Sequence, residues 1–288
     1  MFGALLSVTH AEQPMRKAGP VPQDQPGPLA PRDYSVASIA RIYDYWLGGK
    51  ENYPADREAA EAMIRQYPGI VEGVRMNRAF LGRAVRHLAA EAGIRQFLDI
   101  GTGLPAANNT HEVAQRAAPE SRVVYVDNDP LVLVHARALL TSAGTGVCDY
   151  IDADIRDTGT ILQAAADVLD FSRPVGVCLI MILQFIPDGD DPWAITRTLM
   201  NAVPPGSYLA ISHPASDVDT ELAHALRDLN TAMDGTEALP RYRQDIARFF
   251  DGLEMIEPGL VQLHRWRAEP GADTSRAVAA YGGVGRKP

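Results

Sequence analysis

The chain has 288 residues, 46% hydrophobic and 22% charged, values that exclude disorder for its bulk and allow one large α/β domain or two small ones. Its 27 basic and 36 acidic residues leave a net charge of −9, which repels phosphate backbones and argues against nucleic acid as a partner. Only two cysteines occur, with Cys178 inside an apolar run, which favours reduced thiols over a disulfide framework, and neither a secretory leader nor a bilayer-length apolar segment is visible, so a cytoplasmic protein without membrane spans or a metal cluster is expected.

Six prolines between Pro14 and Pro31 remove backbone donors, and residues 1–33 are predicted to form a flexible arm. Ser35 is placed to cap a helix carrying Val36, Ile39, Ile42, Tyr43 and Trp46 at helical spacing, with Gly48 and Gly49 as its stop. A second short helix follows Pro54. A third runs over 70–92, its stripe of Ile70, Val74, Leu81, Ala84 and Leu88 ended by Gly93. Residues 34–94 therefore read as an N-terminal helical cap and 95–288 as a core.

From Gln96 the period changes, and apolar runs bounded by glycine or aspartate alternate with helical stretches, the pattern of βαβ units. Strands are predicted over 96–100, 122–127, 148–152, 175–183 and 207–212, with helices over 110–117, 131–141, 159–169 and 192–202. Asp129-Pro130 and Asp191-Pro192 each put a capping carboxylate before a proline at a helix start. A helical insertion occupies about 214–250, and 253-LEMIEPGLVQLHRW-266 reads as a closing hairpin turned by Pro258-Gly259.

Three strand ends carry the candidate chemistry. In 97-FLDIGTG-103 two glycines stand where a buried strand must turn sharply and let backbone amides approach a ligand. Asn109 and Glu112 form a capping box that opens the next helix and directs its positive end to the same place. The second strand ends at Asp127, 28 residues beyond Asp99 against about 20 in the dinucleotide pattern, where a carboxylate accepts from both ribose hydroxyls. In 152-DADIRD-157, Asp154 is placed to accept from an adenine amino group while Ile155 packs on the ring. Acids at Asp99, Asp127 and Asp154 suit a ligand with an ammonium group, a ribose diol and an adenine amine, and oppose a pyrophosphate. The spacing of Gly101, Gly103 and Ala106 still fits the dinucleotide fingerprint, so a nicotinamide-dependent oxidoreductase stays open. The plainer readings are a tight connection for the glycines and solvated turns for Asp127 and the 152–157 acids.

The fourth run, 175-VGVCLIMILQFIPD-188, is nearly continuous hydrophobic and so buried on both faces. Met181 and Gln184 at its end are candidates for the reactive end of the site, with core packing the plainer role for Met181. His213, before Pro214, is a candidate base, although a lone histidine is more often structural. Asn77 falls on the apolar stripe of the third helix, where its amide needs a partner from backbone or ligand. Arg75, Arg78, Arg83 and Arg86 on that helix read mainly as solvated charge.

Taken together, 40-ARIYDYWLGGKENYPADREAAE-61, 77-NRAFLGRAVRHL-88, 96-QFLDIGTGLP-105, 109-NTHEVAQ-115, 122-RVVYVDNDP-130, 206-GSYLAISH-213 and 281-YGGVGRKP-288 resemble the class I methyltransferases, and within them the bacterial S-adenosyl methyltransferase family. The resemblance covers nearly everything after residue 34. It implies a Rossmann-like α/β fold with a seven-stranded, mostly parallel sheet, a C-terminal antiparallel hairpin, an N-terminal helical cap and S-adenosylmethionine as cofactor. Matched by position, Asp99, Gly101 and Gly103 would face the amino-acid part, Asp127 the ribose, Asp154 and Ile155 the adenine, with Thr102 and Asn128 also binding the cofactor. Met181 and Asn77 would border the cofactor, and Tyr45, Asn52 and Tyr53 would close over it. Family members tend to carry His where this chain has Gln184, and Thr and Gly in place of Ala106 and Asn108. The implied activity is methyl transfer to a small-molecule acceptor; a non-catalytic cofactor-binding sensor or scaffold is the alternative that Gln184 raises. The family ending also implies that 281–288 is ordered, whereas composition alone predicts a loose tail.

Overall fold

The computed structural model describes residues 35–129, 131–132, 134, 145–232 and 237–288. The arm predicted over 1–33 and most of the helix predicted over 131–141 lie outside them. The polypeptide alternates strand and helix from Gln96 onward because buried β-branched runs are punctuated by turn residues. The strands are β1 (Gln96–Ile100), β2 (Arg122–Asp127), β3 (Val147–Asp152), β4 (Gly176–Ile180), β5 (Tyr208–Pro214), β6 (Glu254–Met255), β7 (Val261–Gln262) and β8 (Ala280–Arg286). Their order among the described residues is β3-β2-β1-β4-β5-β8-β6, with β7 also on β8. Neighbours from β3 to β5 are parallel, and β8 runs antiparallel to β5, β6 and β7.

The C-terminal antiparallel closure is present, but its partners differ from the predicted hairpin. β6 and β7 pair with β8 and not with each other. Pro258 and Gly259 turn the chain between two strands of two residues each, too short to zip together, and the long partner arrives from the end of the chain. Residues 281–288, a tail by composition, supply most of that strand, and Val284 in it is fully buried.

Successive strand residues point to opposite faces. Leu98, Ile100, Val124, Val126, Val177, Leu179, Leu209 and Ile211 fill one side of the sheet. Phe97, Val123, Tyr125, Cys178, Ile180, Tyr208 and Ala210 fill the other. Asp99, between Leu98 and Ile100, therefore belongs to the second side. That side is covered by α3 (Ile70–Arg86), whose Phe80, Leu81, Ala84 and Val85 join its core, and by α4 (Thr110–Ala117). The first side is covered by α5 (Thr158–Ala165) and α6 (Pro192–Ala202). The Asp191 carboxylate accepts from the Ala194 amide at 3.0 Å, as its place before Pro192 predicts.

The cap comprises α1 (Ile39–Trp46), α2 (Pro54–Gln66) and α3. Its first helix starts at Ile39 and not beside Ser35, because the Asp56 carboxylate accepts from the Ser38 amide at 2.9 Å and holds the chain extended there. Fully buried Asp56 also accepts from Arg41 Nε and the Tyr53 amide, at 2.7 and 2.8 Å, so one carboxylate ties three segments. The insertion forms α7 (Thr220–Ala232) and α8 (Arg243–Ala247). Leu222, Ala225, Leu226 and Leu229 of α7 share a core with Ile42, Trp46, Ala60 and Met63, which makes the insertion part of the cap's packing. A polar relay fixes cap to sheet. The Met181 amide donates to Ser212 Oγ at 3.1 Å, Ser212 donates to Asn77 Oδ1 at 2.6 Å, and Asn77 Nδ2 donates to the Tyr43 hydroxyl at 2.8 Å.

Candidate functional site

β1 ends against Gly101, whose φ of +78° swings the chain out of the strand while its amide donates to Val126 O at 2.8 Å. A β-carbon on Gly101 would sit 2.6 Å from Ile182, so this turn demands glycine for both conformation and space. The loop that follows, α4 and the side of α3 enclose a cleft at the ends of β1, β2 and β3. Of the predicted residues, Asp99, Thr102 and Gly103 line it. Asp127 lies just behind: its carboxylate accepts from the Gly103 amide at 2.8 Å and from the Asp129 amide at 2.9 Å.

Asp99 is 5% exposed, and its Oδ2 accepts from the Thr110 hydroxyl at 2.6 Å. Burial pushes its carboxyl up to about 6, with the Thr110 bond and the charge of Arg78 pulling down and Asp127 adding to the rise. Burial also raises Asp127, against the backbone amides that hold its charged form. The sheet order brings the three acidic strand ends side by side, yet Asp154 is the outlying member. It sits past β3, accepts from the Arg156 amide and guanidinium at 2.8 and 2.9 Å, and accepts from Asn128, the neighbour of Asp127, at 3.3 Å. Ile155 is buried within the first-side core, so its side chain is a packing group there.

The cleft also holds residues that the sequence reading passed over as ligand groups: Arg78, Asn109, Thr110, His111, Tyr125 and Tyr150. Tyr125 and Tyr150 are register partners on β2 and β3, stacked with ring centroids 5.3 Å apart, and the Tyr150 hydroxyl meets Thr102 Oγ1. The Tyr125 hydroxyl accepts from the His111 amide at 2.8 Å, which spends one donor of the α4 N-terminus. The two tyrosines were legible as period-two neighbours of Asp127 and Asp152 that face the same side as Asp99. Arg78 was not, because only packing of the cap helix brings it over the loop.

The remaining candidates stand elsewhere. Asn77 finds its partners in protein, Tyr43 and Ser212. Met181, at φ +52°, turns the chain at the end of β4. The hydrogen bonds described for Tyr45, Asn52 and Tyr53 stay inside the cap, to Glu61, to Asp44 and Gly49, and to Asp56 respectively. Gln184 is 6% exposed; its Nε2 donates to Met181 O at 2.7 Å and its buried Oε1 has no partner among the described residues. His213 is corrected from candidate base to structural residue. It is fully buried and stacked on Phe249; Nδ1 faces Pro214 O at 2.8 Å and Nε2 faces Arg241 at 2.9 Å. Burial drives its pKa down to about 3, and the neutral ring, donating from Nδ1 and accepting at Nε2, has no site left for a proton.

The family model described as S-adenosyl methyltransferase matches residues 28–288. No curated protein matches the chain. Among solved structures, a DUF574 family protein from Streptomyces avermitilis is 46% identical with a TM-score of 0.85, over 89% of this chain and 99% of that one. A methyltransferase candidate from Thermobifida fusca is 38% identical with a TM-score of 0.82, over 88% of this chain and 96% of that one. A parallel sheet closed by an antiparallel last strand, an acidic cleft at the ends of its first strands and a family match over nearly the whole chain agree, and the chain belongs to the S-adenosyl methyltransferase family, with the class I Rossmann-like fold and S-adenosylmethionine as cofactor.

Proposed function

We propose that the chain transfers the methyl group of S-adenosylmethionine to a nucleophilic atom of a small-molecule acceptor, with Gln184 holding that acceptor by a hydrogen bond. The observation that carries this reading is the unpartnered, buried Oε1 of Gln184 at the end of β4. A buried acceptor left without a donor costs roughly 1 to 3 kcal/mol, and an O–H or N–H of an incoming molecule would recover it. Neither Gln184 nor His213 is a base near neutral pH, so Gln184 positions the nucleophile and does not deprotonate it.

The cleft residues fit the cofactor. Asp99 spends only Oδ2 on Thr110 in the bonds described, leaving Oδ1 for an ammonium group. Space above the loop is open, since a β-carbon on Gly103 would meet nothing within 4 Å. Asp127 serves the ribose hydroxyls, and Asp154 with Asn128 the adenine amine. Bound S-adenosylmethionine supplies an electrophilic methyl group on cationic sulfur, so the protein has mainly to align the nucleophile and exclude water. A nicotinamide dinucleotide is disfavoured at this rim because its pyrophosphate would approach Asp99 and Asp127. The net charge of −9 favours a neutral or cationic acceptor over a nucleic acid.

Incubation with methyl-labelled cofactor and a broad metabolite panel tests the reading, with transfer to at least one acceptor expected and lost in Gln184→Leu. Tight binding of S-adenosylhomocysteine with no transfer to any acceptor would replace it with a cofactor-sensing role.

A further inference from the structure

Arg78 stands on α3 of the cap with its side chain half-buried in the wall of the cleft that holds Asp99. Its Nη2 donates to Ala107 O at 3.0 Å and to Asn109 Oδ1 at 3.2 Å, both on the loop after β1. Those contacts aim the guanidinium without neutralising it. No carboxylate among the described residues forms an ion pair with it, and its buried Nε has no acceptor among them. A guanidinium carries five N–H donors arranged to grip a planar anion with two at once. A half-buried guanidinium with a buried donor unspent is placed to take an anion from the cleft.

Across the same cleft is the opposite deficiency, a buried carboxyl at Asp99 that spends one oxygen on Thr110. Arg78 is near enough for its charge to act on Asp99, yet the two do not pair. An ammonium group and a carboxylate borne on one carbon would satisfy both walls together. We infer that Arg78 binds the α-carboxylate of the methionine part of the cofactor while Asp99 binds its ammonium group, so that the cap and β1 grip the amino-acid end from two sides. The inference rests on the cofactor placement given above and adds a cap residue to it.

Isothermal titration with two ligands tests it: S-adenosylhomocysteine, and the analogue in which the same adenosyl thioether ends in an aminopropyl chain without the carboxylate. The wild-type protein should bind the first at least tenfold more tightly, about the worth of a hydrogen-bonded charge. Arg78→Met should bring the two affinities to within about twofold by weakening only the carboxylate ligand, and Arg78→Lys should restore part of the ratio. Arg75→Met, at an exposed arginine of the same helix outside the cleft, should preserve the ratio, and unchanged affinity of Arg78→Met for the aminopropyl analogue shows that the Met variant folds. Equal weakening of both ligands in Arg78→Met, or an unchanged ratio, would overturn the inference and leave the cofactor reading intact. Failure of the wild-type protein to bind either ligand would overturn both.

Discussion

Arg241 lies over the ends of β4 and β5, and Arg78 over the loop that leaves β1. Arg241 is buried and Arg78 half-buried, and they are used in opposite ways. Arg241, 6% exposed, spends every donor on protein: Nε and Nη2 on Asp188, Nη1 on Leu183 O and His213 Nε2, and Nη2 also on Ile186 O. Its face lies over Trp193 and Phe249, with centroids at 5.4 and 5.9 Å. Among the described residues Arg78 bonds the protein through Nη2 alone. A satisfied buried cation holds the fold, whereas an unsatisfied one beside an open cleft holds something else. The comparison also disposes of His213, whose partner in the satisfied cluster leaves it nothing to do in chemistry.

Arg241→Met is the harshest test. It strips a donor from His213, two carbonyls and Asp188, and should cost about 3 kcal/mol of stability in urea unfolding, at the low end for a broken buried pair because Asp188 is exposed. Affinity of the folded variant for S-adenosylhomocysteine should not change. A fall in affinity with stability preserved would erase the distinction between the two arginines. Gly101→Ala comes next, since the left-handed backbone and the approach to Ile182 should together cost about 2 to 3 kcal/mol, against about 1 kcal/mol for Gly103→Ala, where only the backbone conformation is at issue. Thermal unfolding of the pair checks the order.

Asp127→Ala should weaken S-adenosylhomocysteine binding by roughly 1 to 3 kcal/mol, as the ribose loses its acceptor and the Gly103 amide its anchor. Unchanged affinity in calorimetry would place the ribose elsewhere. The gentlest test is pH. Asp99 has a folded pKa raised to about 6, above its ordinary value of 3.8, so its contribution to stability is full below about 4 and is lost as pH rises through about 6. Cofactor affinity should move the other way, increasing as pH rises through about 6, because an ammonium group needs the ionised carboxylate. Asp99→Asn should flatten that rise; a rise that persists in the variant would assign it to another group.

Much of this was legible in the sequence, and for identifiable reasons. Strand positions follow from buried runs bounded by Gly101 and Asp127, where local chemistry and packing agree. The row of acids followed from the same ends, since parallel neighbours bring their C-terminal residues to one rim. What stayed hidden was set by distant pairing. β8 enters the sheet between β5 and β6 from the last residues of the chain, and no local pattern announces that. Arg78 looked like one of four surface cations, and only the docking of α3 on the sheet separates it from Arg75, which is exposed. His213 and Asn77 were noticed as polar residues in apolar places, but whether such a residue serves a ligand or the fold depends on partners far along the chain.

The relay from Met181 through Ser212 and Asn77 to Tyr43 contains only hydroxyls, an amide and backbone. Its one ionisable member, Tyr43, is pushed above 10 by burial. The strut between cap and strand is thus blind to acidity over the range in which the cleft changes charge. Turnover followed from mild acid to mild alkali would report on the groups around the cofactor, and any loosening of the cap would have to be sought with heat or denaturant.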